Sequence, residues 1–211
     1  MKSIKVLLAD DQRLFVDGLV AVLEQAKEIE IVGQVYDGEQ VLEFLEKQEV
    51  DIIVLDVEMP NLNGVDAAAI ITQKYPKIKI LILSMYNDKR FIVNLMRLGV
   101  AGYILKNKSK EELVSAIYNV HRGNAHFGLE VLNSIAKTDN RPAKEDVELS
   151  DRQKEILIKI AEGNTTKQIA DLLHISETTV NTHRRNLLRK LGVPNEKFLV
   201  RYAIRKGLID P

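Results

Sequence analysis

Asp56 ends the apolar, β-branched run Ile52-Ile53-Val54-Leu55, and Pro60 with Asn61-Leu62-Asn63-Gly64 turns the chain just beyond it. Asp10 and Asp11 follow a similar run, Ile4–Ala9. Ser84 ends Ile80–Leu83, and Lys106 follows Gly102–Leu105. Such runs read as buried strands, and in an open α/β sheet the residues past the carboxyl ends of the strands share one crevice. Singly, an Asp at a strand end does no more than cap a turn. Together, three carboxylates repel one another, and a hard divalent cation is the usual remedy. Mg2+ prefers oxygen ligands, keeps several waters and often bridges to a phosphate. A lysine at the rim would neutralise phosphate charge, and a hydroxyl would bond one of its oxygens. The chemistry these residues suit is phosphoryl transfer to a carboxylate.

The elements that must position them alternate along the chain. After the strand at 4–9, Leu14, Phe15, Leu19, Val22 and Leu23 recur at helical spacing. A second strand covers residues 29–35 and a helix 38–47, before the Asp56 strand. Ala67, Ala68, Ile70 and Ile71 mark a third helix, which stops before Pro76. The strand ending at Ser84 precedes a helix over 89–98, and the strand ending at Leu105 precedes a helix that opens at Ser109, where Ser-Lys-Glu-Glu forms a capping box, and closes by Gly123. Five alternations of strand and helix predict a five-stranded parallel sheet covered on both faces. The apolar pattern breaks at about Lys137, and residues 138–146, polar, charged and interrupted by Pro142, read as part of a linker.

Composition narrows the classes. The 211 residues are 45% apolar and 28% charged, as in a globular protein of one or two domains. There is no cysteine, which excludes disulfides, thiol catalysis and cysteine zinc sites, and the four histidines, at 121, 126, 174 and 183, lack metal-ligand spacing. The start carries no signal-peptide pattern and no apolar run is long enough for a membrane span, so a cytoplasmic protein without a membrane partner is expected. Net charge is zero but uneven. Residues 1–137 hold 16 Lys and Arg against 19 Asp and Glu, whereas residues 149–211 hold 12 against 7. A basic carboxyl-terminal part fits a polyanion partner.

That part is helical only. Ser150-x-x-Gln153 is a capping box, followed by an apolar face of Ile156, Leu157, Ile160 and Ala161, with Gly163 closing the helix. Thr165-x-x-Gln168 opens a short helix with Ile169, Leu172 and Leu173 inward. Ser176 caps a third helix over 177–191, with Val180, Leu187, Leu188 and Leu191 inward. At 100° per residue the outward face centres on Thr178, Thr182, Arg185 and Arg189, flanked by Thr179 and Asn181. The bland reading is a solvated amphipathic helix. The sharper one is a helix-turn-helix, whose second helix enters the major groove.

Both halves resemble known families. Asp10-Asp11, Asp56-x-x-Met59-Pro60-x-x-x-Gly64, Ser84 and Lys106 match, in order and spacing, the receiver domain of bacterial response regulators over residues 1–122. Leu149-Ser150-x-Arg152-Gln153, Ala161-x-Gly163, Gln168-Ile169-Ala170, Ile175-Ser176-x-x-Thr179-Val180-x-x-His183 and Lys190-Leu191 resemble the LuxR-type helix-turn-helix. The pair looks like the NarL/FixJ subfamily of two-component response regulators. The resemblance implies an α/β plus all-α chain: a flavodoxin-like five-stranded parallel-sheet receiver over 1–123, a linker over 124–148, and a four-helix LuxR-type domain over 149–211.

It also implies roles. Asp56 becomes the phospho-acceptor for a cognate sensor histidine kinase. Asp10, Asp11, Asp56 and the Glu58 backbone carbonyl hold Mg2+, and Ser84, Tyr103 and Lys106 form the phosphate-stabilising and switch set, the ring of Tyr103 moving inward. Asn181, Thr182 and Arg185 read base edges of double-stranded promoter DNA. Lys167, Thr179, His183, Arg184 and Lys190 contact its phosphates. Phosphorylation is expected to favour a homodimer. The chain accepts phosphate and can lose it again, but is no turnover enzyme. Ser84 stands where threonine is commoner, and Asn107 where many receivers have proline; Glu58 and Tyr86 occupy positions that influence phosphate lifetime in the family. Two alternatives stay open: a phosphorylation-independent DNA-binding regulator using the receiver as a dimerisation scaffold, and an aspartyl-phosphate hydrolase, whose Asp-x-Asp the segment Asp56-Val57-Glu58 only approximates.

Overall fold

The five apolar runs form five parallel strands. In the computed structural model, which describes residues 3–128, Leu132 and residues 148–209, β1 (Ile4–Ala9), β2 (Ile29–Val35), β3 (Ile52–Asp56), β4 (Lys79–Ser84) and β5 (Gly102–Leu105) alternate with α1 (Arg13–Leu23), α2 (Gly38–Leu45), α3 (Gly64–Lys74), α4 (Lys89–Arg97) and α5 (Lys110–His121). The order in the sheet is 2-1-3-4-5, every pairing parallel. Alternation sends Val6, Leu8, Ile52, Val54, Leu81, Leu83 and Ile104 to one face, against Val16 and Leu23 of α1 and Leu113, Ala116, Ile117 and Val120 of α5. Ile53, Leu55, Ile80 and Ile82 on the other face are equally buried, as are Ala67, Ala68 and Ile71 of α3. In α1 the apolar set is only partly inward: Leu14 is 85% exposed, and Val16 takes the buried place.

A sixth strand, β6 (His126–Phe127), runs parallel beside β5, so the sheet has six strands where five were expected. Two residues between Gly123 and Gly128 are too few to leave an alternating signal. Gly102 permits the approach: a Cβ there would stand 2.8 Å from the His126 carbonyl oxygen. The strand falls in the expected linker, of which residues 129–131 and 133–147 lie outside the described residues.

Register decides where the functional side chains emerge. Ala9 lies beside Leu55, Asp56 beside Leu83 and Ser84 beside Leu105. The carboxyl ends of β1, β3, β4 and β5 therefore open along one edge.

The second unit of the chain contains α6 (Asp151–Ala161), α7 (Thr166–Leu173), α8 (Glu177–Leu191) and α9 (Glu196–Arg205). Of the three expected capping boxes, those at Ser150 with Gln153 and Thr165 with Gln168 form, whereas Ser109 caps α5 only by accepting from Glu112 N. Ser176 and Asn195 cap α8 and α9 by accepting from Thr179 N and Phe198 N. The core joins Ile156, Leu157, Ile160, Ile169, Val180, Leu187 and Leu199. Leu172, expected inward, is 55% exposed. The face of this short helix centres on Ile169, Ala170 and Leu173, and Leu172 falls about 100° from its middle. The helix ends at His174, whose φ of 51° is left-handed without being glycine. Among the described residues no helix is long and apolar enough to cross a membrane.

Candidate functional site

Strand ends place the acidic pocket. Asp10, just past β1, donates its backbone N–H to Val35 O at 3.1 Å and accepts from Gln12 N at Oδ1, 3.0 Å. Asp56 closes β3. Both are buried, at 2% and 4% exposure, while Asp11 faces solvent. One carboxylate oxygen from each of the three lies within 4.8 Å of the other two. Lys106 Nζ reaches in to 2.6 Å from Asp10 Oδ2 and 3.2 Å from Asp56 Oδ1. It also stands 4.9 Å from the centroid of the Phe15 ring, a contact the sequence did not announce. The Lys106 N–H donates to Ser84 O at 2.8 Å, which ties the ends of β4 and β5, and the bond to Asn107 is trans.

Burial pushes the Asp56 carboxyl up from 3.8 to about 7. Lys106 pulls against that shift, the neighbouring charge of Asp10 adds to it, and a hydrogen bond from Val57 N–H opposes it. Asp10 Oδ2 is buried, and its close partner is the Lys106 ammonium. One lysine against three carboxylates leaves negative charge uncompensated. A hard-oxygen set of three clustered carboxylates fits Mg2+. The residues that could hold such an ion are Asp10, Asp11 and Asp56.

The turn after Asp56 is fixed by Gly64. A Cβ there would lie 1.9 Å from the Asp56 carbonyl oxygen, so only glycine lets α3 start this close. Its N–H donates to Val57 O at 3.1 Å, and Asn63 caps the helix by accepting from Val65 N and Asp66 N. Glu58, within this turn, is partly exposed.

Ser84 is 1% exposed and Tyr103 fully buried. Tyr86 joins them through its backbone: its N–H donates to Ser84 Oγ at 3.2 Å, and its carbonyl accepts from the Tyr103 hydroxyl at 2.6 Å. The ring expected to move inward is already inside.

On α8, Thr178, Asn181, Thr182, Arg185 and Arg189 are all exposed, as the spacing predicts. Thr182 Oγ1 donates to Thr178 O at 2.9 Å, leaving its lone pairs outward. Thr179 shares a 2.8 Å hydrogen bond with the capping Ser176 hydroxyl, and His183 is partly exposed. Lys167 is exposed near the start of α7; Lys190, also exposed, donates to Gln153 Oε1 at 2.9 Å. Arg184, expected among the phosphate contacts, has partners within the unit. Its side chain is 14% exposed, paired with Glu196, and donates to Asn164 O at 3.3 Å. The guanidinium ties α8 to the α6–α7 turn and the start of α9.

The comparisons with known proteins follow the same division. Residues 6–118 match the response regulator receiver domain family, and residues 147–203 match the bacterial regulatory proteins of the luxR family. Transcriptional regulatory protein MctR of Rhizobium johnstonii is 35% identical over 208 residues, covering 99% of this chain and 96% of the relative. Oxygen regulatory protein NreC of Staphylococcus carnosus is 32% identical over 215 residues, covering 98% and 99%. Among solved structures, RcsB from Salmonella enterica serovar Typhimurium, bound to a promoter in the presence of the phosphomimetic BeF3−, aligns with TM-score 0.71 at 25% identity, over 95% of this chain and 98% of that one.

Proposed function

The chain belongs to the two-component response regulators that join a receiver domain to a DNA-binding LuxR-type helix-turn-helix, and from that premise we propose that phosphorylation of Asp56 controls its binding to DNA. The observation that carries the reading is the pocket itself: Asp56 is buried at a strand end, beside two further carboxylates and 3.2 Å from a lysine. The donor is a sensor histidine kinase. An Asp56 carboxylate oxygen attacks phosphorus, the bond from phosphorus to the kinase's histidine nitrogen breaks, and that nitrogen keeps the electron pair.

Asp10, Asp11, Asp56 and the Glu58 carbonyl would hold Mg2+, which would supply stabilisation of the negative charge in the transfer. Ionised Asp56 is the nucleophile. Lys106 is near enough to pair with a phosphoryl oxygen on Asp56. Ser84 Oγ accepts from Tyr86 N and still has its own proton to donate to phosphate. Any such shift of Ser84 is felt by the Tyr86 backbone and hence by Tyr103. That linkage biases two states of the β4–α4 and β5 region, and phosphate acts through its preference for one of them.

The phosphorylated form dimerises and places two α8 helices in adjacent major grooves of promoter DNA. Asn181, Thr182 and Arg185 read bases, while Lys167, Thr179, His183 and Lys190 contact phosphates. The protein acts in the cytoplasm. It loses its phosphoryl group by hydrolysis and turns over no other substrate. Intact-mass measurement after acetyl phosphate and Mg2+ tests the acceptor: one phosphoryl adduct on the wild type and none on Asp56→Ala is expected, and equal labelling of both overturns it.

A further inference from the structure

Three carboxylates are buried among the described residues: Asp10 and Asp56 in the pocket, and Asp37 outside it, 6% exposed. Asp37 caps α2, Oδ1 accepting from Gln40 N at 2.8 Å. A cap needs no more than that oxygen. The second, Oδ2, accepts from Gln40 Nε2 at 2.9 Å and from Asn61 Nδ2 at 3.1 Å. Asn61 belongs to the turn after Asp56, 24 residues further along the chain, and has a left-handed φ of 55°. Next to this contact, Gly38 N donates to Leu62 O at 2.8 Å, and a Cβ on Gly38 would meet that oxygen at 2.4 Å. The β2–α2 loop thus clamps the far side of the turn from Val57 to Asn63. Its near side is held by Gly64 against Asp56 and Val57. Glu58 lies between the two anchors.

We propose that Asp37 and Asn61 are a positioning pair that fixes the turn bearing the Glu58 carbonyl and so sets the Mg2+ affinity of the pocket without touching the ion. The inference rests on the Mg2+ reading given above. Mg2+ demands near-ideal octahedral geometry, and a backbone carbonyl can meet it only if its peptide plane is held. Groups that orient a ligand from behind are worth about as much as this clamp would be, roughly tenfold or more in affinity.

Two variants separate this role from simple support of the fold. Asn61→Gly keeps the left-handed backbone and deletes the amide. Asp37→Ser keeps an acceptor for Gln40 N but is too short to reach Asn61. Isothermal titration of the full chain with MgCl2, beside thermal unfolding without Mg2+, is the experiment. Each variant is expected to bind Mg2+ about tenfold more weakly, with the double variant no weaker than either single one because both remove one contact. Asp11→Asn is the control for the reading itself and should bind weakest. Variants that lower only the unfolding temperature, while Asp11→Asn loses Mg2+, overturn the positioning role and leave the Mg2+ reading intact. Additive losses in the double variant overturn the pairing. A wild type that binds no Mg2+ overturns both.

Discussion

Lys106 Nζ lies 2.6 Å from Asp10 Oδ2 in a pair that solvent barely reaches, with side-chain exposures of 5% and 3%. The same ammonium faces Asp56 at 3.2 Å. Lys106→Ala would leave two buried carboxylates without that cation, and removing one member of a buried pair costs about 3–5 kcal/mol. Urea unfolding without divalent cations should show that loss, and MgCl2 should recover part of it. Equal stability of variant and wild type would mean the lysine compensates little.

The pH dependence has a definite sign. Asp56 is raised from 3.8 to about 7, so the folded chain holds a proton that the unfolded chain has already released. Stability therefore falls as pH rises from about 4 to about 7, and levels off above. Asp56→Asn removes this dependence. Without Mg2+, the variant should gain on the wild type between pH 5 and pH 8, by a few kcal/mol at most, since each unit is about 1.4 kcal/mol. Mg2+ should narrow the gap by favouring the ionised carboxylate. A gap that is constant with pH would contradict the buried, protonated state.

Tyr103→Phe deletes the donor to the Tyr86 carbonyl. A lost buried hydrogen bond costs about 1–3 kcal/mol. Phosphorylation by acetyl phosphate should persist, while the change in DNA affinity on phosphorylation should shrink. Comparing adduct formation with DNA titration separates the two. Loss of phosphorylation itself would place Tyr103 in the acceptor chemistry instead of the relay.

Three changes in the helical unit should part ways in DNA-binding assays over a range of salt. Arg185→Ala should cost about 1–3 kcal/mol and relax sequence preference. Lys167→Ala should weaken all sequences alike and lower the salt slope by about one. Arg184→Ala should lower the unfolding temperature of the unit, because its guanidinium bonds Glu196 and Asn164, with the salt slope little changed. A full unit lost from the slope in Arg184→Ala would return that residue to the phosphate contacts.

The strand ends were legible because apolar runs and the residues closing them are local signals. The run to Asp56 becomes β3, and Gly64 beyond it stands where a Cβ would meet the Asp56 carbonyl oxygen. The capping boxes of α6 and α7 were readable for the same reason. What stayed hidden depends on contacts between distant segments. β6 is two residues long and exists only beside β5. Asp37 looks like any helix cap until Asn61 arrives from 24 residues away. Arg184 and Arg185 are adjacent arginines on one helix, and only the placement of Glu196 and Asn164 distinguishes tie from free face. Tyr86 relays through its backbone, which no side-chain type reveals.

Phosphorylation of Asp56 is expected to govern DNA binding. The most direct test is titration of selected DNA pools with wild type and Asp56→Ala, each before and after acetyl phosphate with Mg2+. Affinity should rise on treatment for the wild type and stay flat for Asp56→Ala. Equal binding by both proteins throughout would contradict it, leaving the receiver as a dimerisation scaffold for a DNA-binding module that phosphate does not control.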